Sequence, residues 1–128
     1  MVAVGTRVTQ FKLGRKAVTL FNQDHLGGSL NPTSSATGLG DVYDSTLRDY
    51  GVFDEQGLVE TPSTLSFQEA STLSCAALAA WNSLFGLESR PLKVDYAVLT
   101  HGTGGVSIFA SQVCISCSST IDNLVRSP

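Results

Sequence analysis

The stretch that decides the fold runs Tyr96-Ala97-Val98-Leu99-Thr100-His101-Gly102-Thr103-Gly104-Gly105-Val106-Ser107-Ile108-Phe109-Ala110. Tyr96 to Thr100 is a compact run of the kind found in a strand buried on both faces, and a glycine turn follows it at once. Val106 to Ala110 is apolar again and can continue as a helix. In such a strand–turn–helix, Gly102 permits the sharp turn and Gly104 lets the backbone come close to a pyrophosphate. The first amides of the new helix then point unsatisfied N–H groups at the anion. Ser107 occupies the place where a third Gly or Ala would pack against the strand. A glycine cluster alone also suits an ordinary strand-to-helix loop. The strand before it, and the absence of a Walker lysine–hydroxyl pair, favour a dinucleotide turn over a phosphate loop.

Upstream, Ser66-Phe67-Gln68-Glu69 matches a capping box, so a helix is predicted to start there. Phe67, Ala70, Leu73, Ala77, Leu78, Trp81, Leu84 and Phe85 recur at spacings of three and four along one face of it. Ser74 is a point where it can break into two helices, Gly86 is a stop, and Pro91 and Lys93 fall in the connection that follows. Earlier still, Val2 to Val8 and Ala17 to Phe21 are β-branched-rich runs punctuated by Gly5, Gly14 and Asn22, which predicts short strands. Asn22 to Tyr43, rich in Gly, Ser, Thr, Asn and Asp and containing Pro32, reads as a long surface loop. Leu47, Tyr50, Val52 and Phe53, and then Leu58 to Val59, suggest two more short strands ending at Pro62.

Downstream of Gln112 two readings stand. Val113 to Cys117 is either a second strand reached with the end of the helix deleted, or part of a tail from a changed reading frame or a retained intron. A parallel return needs a crossover of about a dozen residues or more, which His101 to Gln112 barely supplies.

Composition narrows the functional classes. A chain of 128 residues, 42% hydrophobic and 15% charged, has the make-up of one soluble globular domain rather than a disordered tail. Its longest apolar run, Cys75 to Trp81, is far below the roughly 18 residues of a membrane span, and no secretion signal opens the sequence. A cytoplasmic protein with no membrane partner is expected. Eight Lys and Arg against eleven Asp and Glu give a net charge of −3, so no basic surface draws nucleic acid. Three cysteines are an odd number for a disulfide framework and read as reduced thiols.

Four blocks, taken in order, carry a resemblance: Gly51 to Val59, Pro62 to Ser66, Ala70 to Asn82 and Val98 to Ser107. Over roughly residues 2 to 112 the chain resembles the medium-chain dehydrogenase/reductase superfamily, and within it the NAD(P)-dependent, zinc-type alcohol dehydrogenase-like and quinone oxidoreductase-like proteins. The resemblance implies an α/β fold: a partial GroES-like β domain over 1–65, followed by the opening of a Rossmann nucleotide-binding domain over 66–128. It implies an oxidoreductase that moves a hydride between a nicotinamide and an alcohol, carbonyl or enone. Gly102, Thr103, Gly104, Gly105 and Val106, with Ser107 behind them, match the pyrophosphate turn of that family. Tyr50 falls where the family has an aromatic residue, and Ala79 to Asn82 where a segment approaches the nicotinamide. Ala79 in place of the usual Thr lacks a hydroxyl that could meet the cofactor.

The same resemblance weighs against zinc. The branch with structural zinc carries four closely spaced cysteines, and Asn22 to Tyr50 has none. Cys75 lines up with a zinc-ligand position, but in an Ala–Leu-rich helix it reads as a small core residue. Cys114-Ile115-Ser116-Cys117 has C-x-x-C spacing without the second pair that a tetrahedral site needs. His25 and His101 read as solvated or locally hydrogen-bonded imidazoles, His101 reaching a phosphate only when protonated. Asp41, Asp44, Asp49, Asp54, Glu55 and Glu60, with Arg48, are irregularly spaced and read as a solvated face, so no catalytic acid or base is assigned. If Val113 to Cys117 is the second strand, Ser118 and Ser119 lie where an acidic residue would select NAD, and hydroxyls there favour NADP.

Family members are longer, and the chain is read as truncated at both ends. A helix N-terminus is worth about 0.3 to 1 kcal/mol to an anion, up to about 2 when partly buried, whereas micromolar binding needs about 8 kcal/mol. The turn alone therefore cannot hold a dinucleotide tightly. The alternative to an enzyme is a catalytically inactive remnant or interaction protein derived from such a dehydrogenase. An uncovered apolar face from Phe67 to Phe85 and an open strand edge favour self-association or poor solubility. Light scattering tests this: oligomers or aggregates are expected, and a clean monomer at working concentrations counts against the reading.

Overall fold

The computed structural model describes residues 1–87, 96–117 and 120–124, so the connection at Pro91 and Lys93 lies outside the described residues. The chain forms two compact units, Met1–Ser74 and Cys75–Pro128, and its architecture is mixed α/β.

In the first unit, β1 (Ala17–Thr19) pairs antiparallel with β2 (Leu58–Glu60), Ala17 opposite Glu60 and Thr19 opposite Leu58. The buried Gln23 joins the two strand ends, its Nε2 donating to the carbonyls of Leu20 at 2.6 Å and Gly57 at 3.3 Å. Arg15 and Glu60 form an exposed ion pair across the open end, of a kind that contributes little. The strand predicted at Val2 to Val8 does not form. The amide of Val8 turns back to the carbonyl of Gly5 at 3.2 Å, and a β-branched run becomes a strand only where a partner edge is present. Leu47 to Phe53 is likewise irregular, with Leu47 and Val52 98% and 100% exposed.

The long segment Asn22 to Tyr43 is less featureless than its composition suggests. It holds a short helix, α1 (Pro32–Ser35), started by a capping box. The Ser34 amide donates to Asn31 Oδ1 at 2.8 Å, the Asn31 amide donates to Ser34 Oγ at 3.3 Å, and Pro32 opens the first turn. The buried Thr37 then links the ends of the loop, its hydroxyl donating to the Ser34 carbonyl at 2.7 Å and accepting from the Asp24 amide at 3.2 Å.

The helix predicted at Ser66 begins there. In α2 (Phe67–Ser71) the Glu69 amide donates to Ser66 Oγ at 3.2 Å, and the Ser66 amide donates to Glu69 Oε2 at 2.8 Å. The break comes at Thr72, two positions ahead of the Ser74 named above, where the Thr72 hydroxyl donates to the Glu69 carbonyl at 2.7 Å and competes with the helix ladder. A π-helical turn, Leu73–Ala77, follows, and then α3 (Leu78–Phe85), which stops at Gly86. Cys75 lies exposed on that π turn, so its reading as a small core residue is corrected: the widened turn faces it to solvent.

In the second unit β3 (Ala97–His101), α4 (Gly105–Ser116) and β4 (Thr120–Leu124) form a strand–helix–strand unit with parallel strands, Ala97 opposite Thr120 and His101 opposite Leu124. The second strand is therefore Thr120–Leu124, and Val113 to Ser116 belong to the last turn of α4. No Gly or Pro interrupts the helix before Cys117, and running on to Thr120 gives the crossover the dozen or more residues it requires. The NADP argument from Ser118 and Ser119 loses its premise, and both serines lie outside the described residues. β3 is also less buried than its composition predicts: Thr100 is buried, but Leu99 is 68% exposed, because among the described residues β3 has one strand neighbour. α4 packs on α3, and among the described residues the buried apolar side chains of this unit are small ones, Ala80, Ala110 and Cys114. Among the described residues no helix is long and apolar enough to cross a membrane.

Hydrogen bonds from the Ser66 amide and hydroxyl hold the Glu69 carboxyl below its ordinary pKa. A depressed folded pKa adds stability that is complete above the range where a free glutamate titrates, about pH 4.3, and is lost as the pH falls through the folded value. The gap in melting temperature between wild type and Glu69→Gln should therefore narrow as the pH is taken from neutral into that acid range. A gap that stays constant in thermal melts across the range overturns the assignment.

Candidate functional site

The turn between β3 and α4 brings Gly102, Thr103, Gly104, Gly105, Val106 and Ser107 together at the carboxyl end of a parallel strand, the edge where open α/β sheets take ligands. Gly102 has φ +86°, the left-handed region where a side chain is strained, and it reverses the chain as it leaves His101. Gly104, extended at φ −69° and ψ 163°, is the N-cap of α4, and no side chain caps the helix. Without an acceptor one turn back, the first amides of α4 have no partner inside the helix. Both Gly102 and Gly104 look onto open space, since a Cβ placed on either would meet no heavy atom within 4 Å.

Two contacts hold the helix start in place. A Cβ on Gly105 would lie 3.0 Å from the Ala76 Cβ, so the missing side chain lets the first turn of α4 lie close against the π turn. Ser107 Oγ donates to the carbonyl of His101 at 3.2 Å, tying the first turn of the helix to the last residue of the strand. Close packing against the neighbouring segment is thus the work of Gly105, while Ser107 supplies a hydrogen bond. The supporting role of Ala76 was not legible beforehand, because it depends on the π turn.

The other residues singled out in the sequence go elsewhere. The acidic residues of the first unit are exposed or half-buried, and several serve the backbone. Glu55 Oε2 accepts from the amides of Thr9 at 3.0 Å and Gln10 at 2.9 Å, and Asp54 Oδ1 accepts from the Gln56 amide at 2.9 Å. Asp44 pairs with Arg48 at 3.7 Å. Tyr50 lines an open cavity of about 1050 Å³ in the first unit, with Val4, Phe11, Val18, Phe53 and Phe67 among its neighbours. Ala79 to Asn82 lie on α3, where Trp81 stacks with Phe85 at 4.5 Å between ring centroids. His25 lies in the loop of the first unit, half-buried, and His101 is exposed at the end of β3.

No protein-family model matches the chain. It is 37% identical over 118 residues to a zinc-type alcohol dehydrogenase-like protein of Schizosaccharomyces pombe, an alignment covering 92% of this chain and 34% of that protein. A solved structure described as an alcohol dehydrogenase from Sinorhizobium meliloti 1021 superposes with a TM-score of 0.86 at 33% identity, over 95% of this chain and 36% of that one. The relatives and structural neighbours of this chain are thus zinc-type alcohol dehydrogenase-like proteins of the medium-chain dehydrogenase/reductase superfamily. A crotonyl-CoA carboxylase/reductase of Cereibacter sphaeroides, 29% identical over 120 residues, extends the likeness to another reductase, of which 28% is covered. The chain thus spans about a third of the length of these alcohol dehydrogenase-like relatives.

The zinc in that family name finds no seat among the described residues, which hold no group of three His, Cys, Asp or Glu side chains able to bind a metal ion. The open glycine turn with its uncapped amides does suit an anionic ligand.

The geometry separates two glycines by substitution. Gly104→Asp adds an N-cap carboxylate at a compatible φ and should stabilise the protein by about 0.5 to 1 kcal/mol. Gly102→Ala forces a Cβ into the left-handed region and should cost about 1 to 2 kcal/mol. Denaturant melts of the full chain check both, and equal effects of the two substitutions refute the turn geometry.

Proposed function

We propose that this chain carries the cofactor diphosphate turn of an NAD(P)-dependent alcohol dehydrogenase-like oxidoreductase, with Gly102 to Ser107 as the binding residues. The observation that carries the reading is the uncapped start of α4, set behind a left-handed Gly102 at the carboxyl end of β3. The amides of Gly105, Val106 and Ser107 would donate to the diphosphate oxygens, and the positive end of the α4 dipole would favour their charge. Gly104 leaves the approach clear, and the Ser107 hydroxyl keeps the helix start at the end of the strand. A bound nicotinamide supplies the hydride chemistry itself. The residues of this chain are assigned to binding and orientation, with an alcohol, carbonyl or enone as the small-molecule substrate class.

A second reading has its own support: an interaction protein that keeps the dehydrogenase surfaces without turnover. Its supporting observation is the exposure of large apolar side chains, Trp81 at 55% among them. The two readings part on cofactor binding. With a turn that supplies a minor share of the binding energy, the affinity for NADPH or NADH should be in the millimolar range, and a concentration ten times Kd stabilises the folded state by about 1.4 kcal/mol. The melting temperature of the full chain should therefore rise with millimolar NADPH or NADH. Gly104→Asp, which fills the anion position with its own carboxylate, should abolish that rise while folding normally. No shift with either nucleotide, or the same shift in Gly104→Asp, overturns the proposal.

A further inference from the structure

The C-x-x-C pair of the second unit lies outside the candidate cofactor turn, and its geometry differs from that of an ordinary helical pair. Cys114 is a fully buried residue of α4, and Cys117 is the exposed C-cap of the same helix. Both are free thiols. On a regular α-helix, side chains three apart have their Cβ atoms about 5 to 6 Å apart, more than the roughly 3.5 to 4.5 Å of a disulfide. The end of α4 is not regular. The Cys117 amide donates both to the Val113 carbonyl at 3.0 Å and to the Cys114 carbonyl at 3.1 Å, so the last turn is partly closed by a bond between residues three apart. In that tighter geometry side chains three apart eclipse one another. Cys117, with φ −93° and ψ 7°, is the C-cap, where the helical backbone conformation ends.

We propose that Cys114 and Cys117 form a reversible disulfide across the last turn of α4, made by exchange with a small-molecule disulfide of the glutathione type. The exposed Cys117 thiolate attacks one sulfur of the oxidised reagent, forming a mixed disulfide and releasing one reduced thiol. The Cys114 thiol gives up its proton, attacks the Cys117 sulfur and expels the second reduced thiol. The reagent takes up two electrons in all, and the two protein sulfurs are oxidised to one bond. The order follows from access: Cys114 is shielded and Cys117 is open. It follows also from acidity, because burial pushes the Cys114 thiol up, and the nearby Cys117 adds to that push, which disfavours Cys114 as the first attacker. Cys75, exposed in the π turn, has no cysteine three positions away and serves as an internal comparison.

The experiment incubates the full chain with oxidised glutathione at submillimolar concentration, below the millimolar effective concentrations typical of short tethers. Acid quench, alkylation of free thiols and peptide mass spectrometry then read each cysteine. The expected product is a peptide spanning Cys114 and Cys117 that lacks two hydrogens and resists alkylation, while Cys75 carries glutathione. In Cys114→Ser, Cys117 should accumulate as the mixed disulfide, at a level about tenfold above wild type. A wild-type Cys117 that keeps its glutathione as it does in Cys114→Ser overturns the proposal. So does a pair that remains fully alkylatable, or a Cys117 that bridges to another chain. The wild-type mass reading decides the question without the variant, so misfolding of Cys114→Ser leaves the test intact.

Discussion

A helix that begins after a turn leaves its first amides without acceptors, and the rest of the second unit depends on how that shortage is met. Elsewhere the chain meets such shortages internally. Asn31 and Ser34 satisfy each other's backbone in α1, Ser66 and Glu69 do the same in α2, and Asp54 caps the short turn before β2. Glu55 even gathers two consecutive amides, those of Thr9 and Gln10, on one carboxylate oxygen. At α4 the cap position holds Gly104, which has nothing to offer. A serine or aspartate there would stabilise the helix. Under the proposed function that position is left free for an external anion, without the side-chain cap contact that α1 and α2 keep.

The same economy of polar contacts explains how each small unit is held with little apolar burial. A two-stranded sheet is marginal on its own, and among the described residues each sheet has two strands. The buried apolar side chains among the described residues are Phe11, three alanines and Cys114, whereas Leu47, Val52 and Trp81 face solvent. In the first unit buried Gln23 and Thr37 take over part of the role of a core, since each links backbone groups far apart in sequence. Such links fix geometry well but stabilise modestly, about 1 kcal/mol each. A fold held this way leaves large apolar side chains exposed.

What was legible in the sequence was whatever the chain decides locally. The capping box at Ser66, the stop at Gly86, the strand at Leu58 and the turn from Gly102 to Gly105 each rest on residues within three or four positions of one another. The start of α1 was equally local: Asn31, Pro32 and Ser34 form a cap, an opening proline and a reciprocal hydroxyl, a signal hidden only by the polar composition around it. The misreadings concern partners far away. Val2 to Val8 has the composition of a strand but finds no edge, and Val113 to Ser116 has it too but continues a helix that nothing interrupts. Exposure of Leu99 and of Cys75 likewise depends on neighbours that no short window contains.

Position and affinity are separable at such a turn. Under the proposed function, three amides and a helix dipole would specify where a diphosphate sits and how it is turned, because their directions are set by Gly102, by the close approach of Gly105 to Ala76 and by the Ser107 tie to His101. They do not specify how long it stays, since most of the binding energy of a dinucleotide resides in the groups at its two ends. On that proposal the turn by itself would bind weakly but directionally. Adding surface around the turn would raise affinity without altering the geometry, whereas altering Gly102 or Gly105 would lose the geometry whatever surface was added.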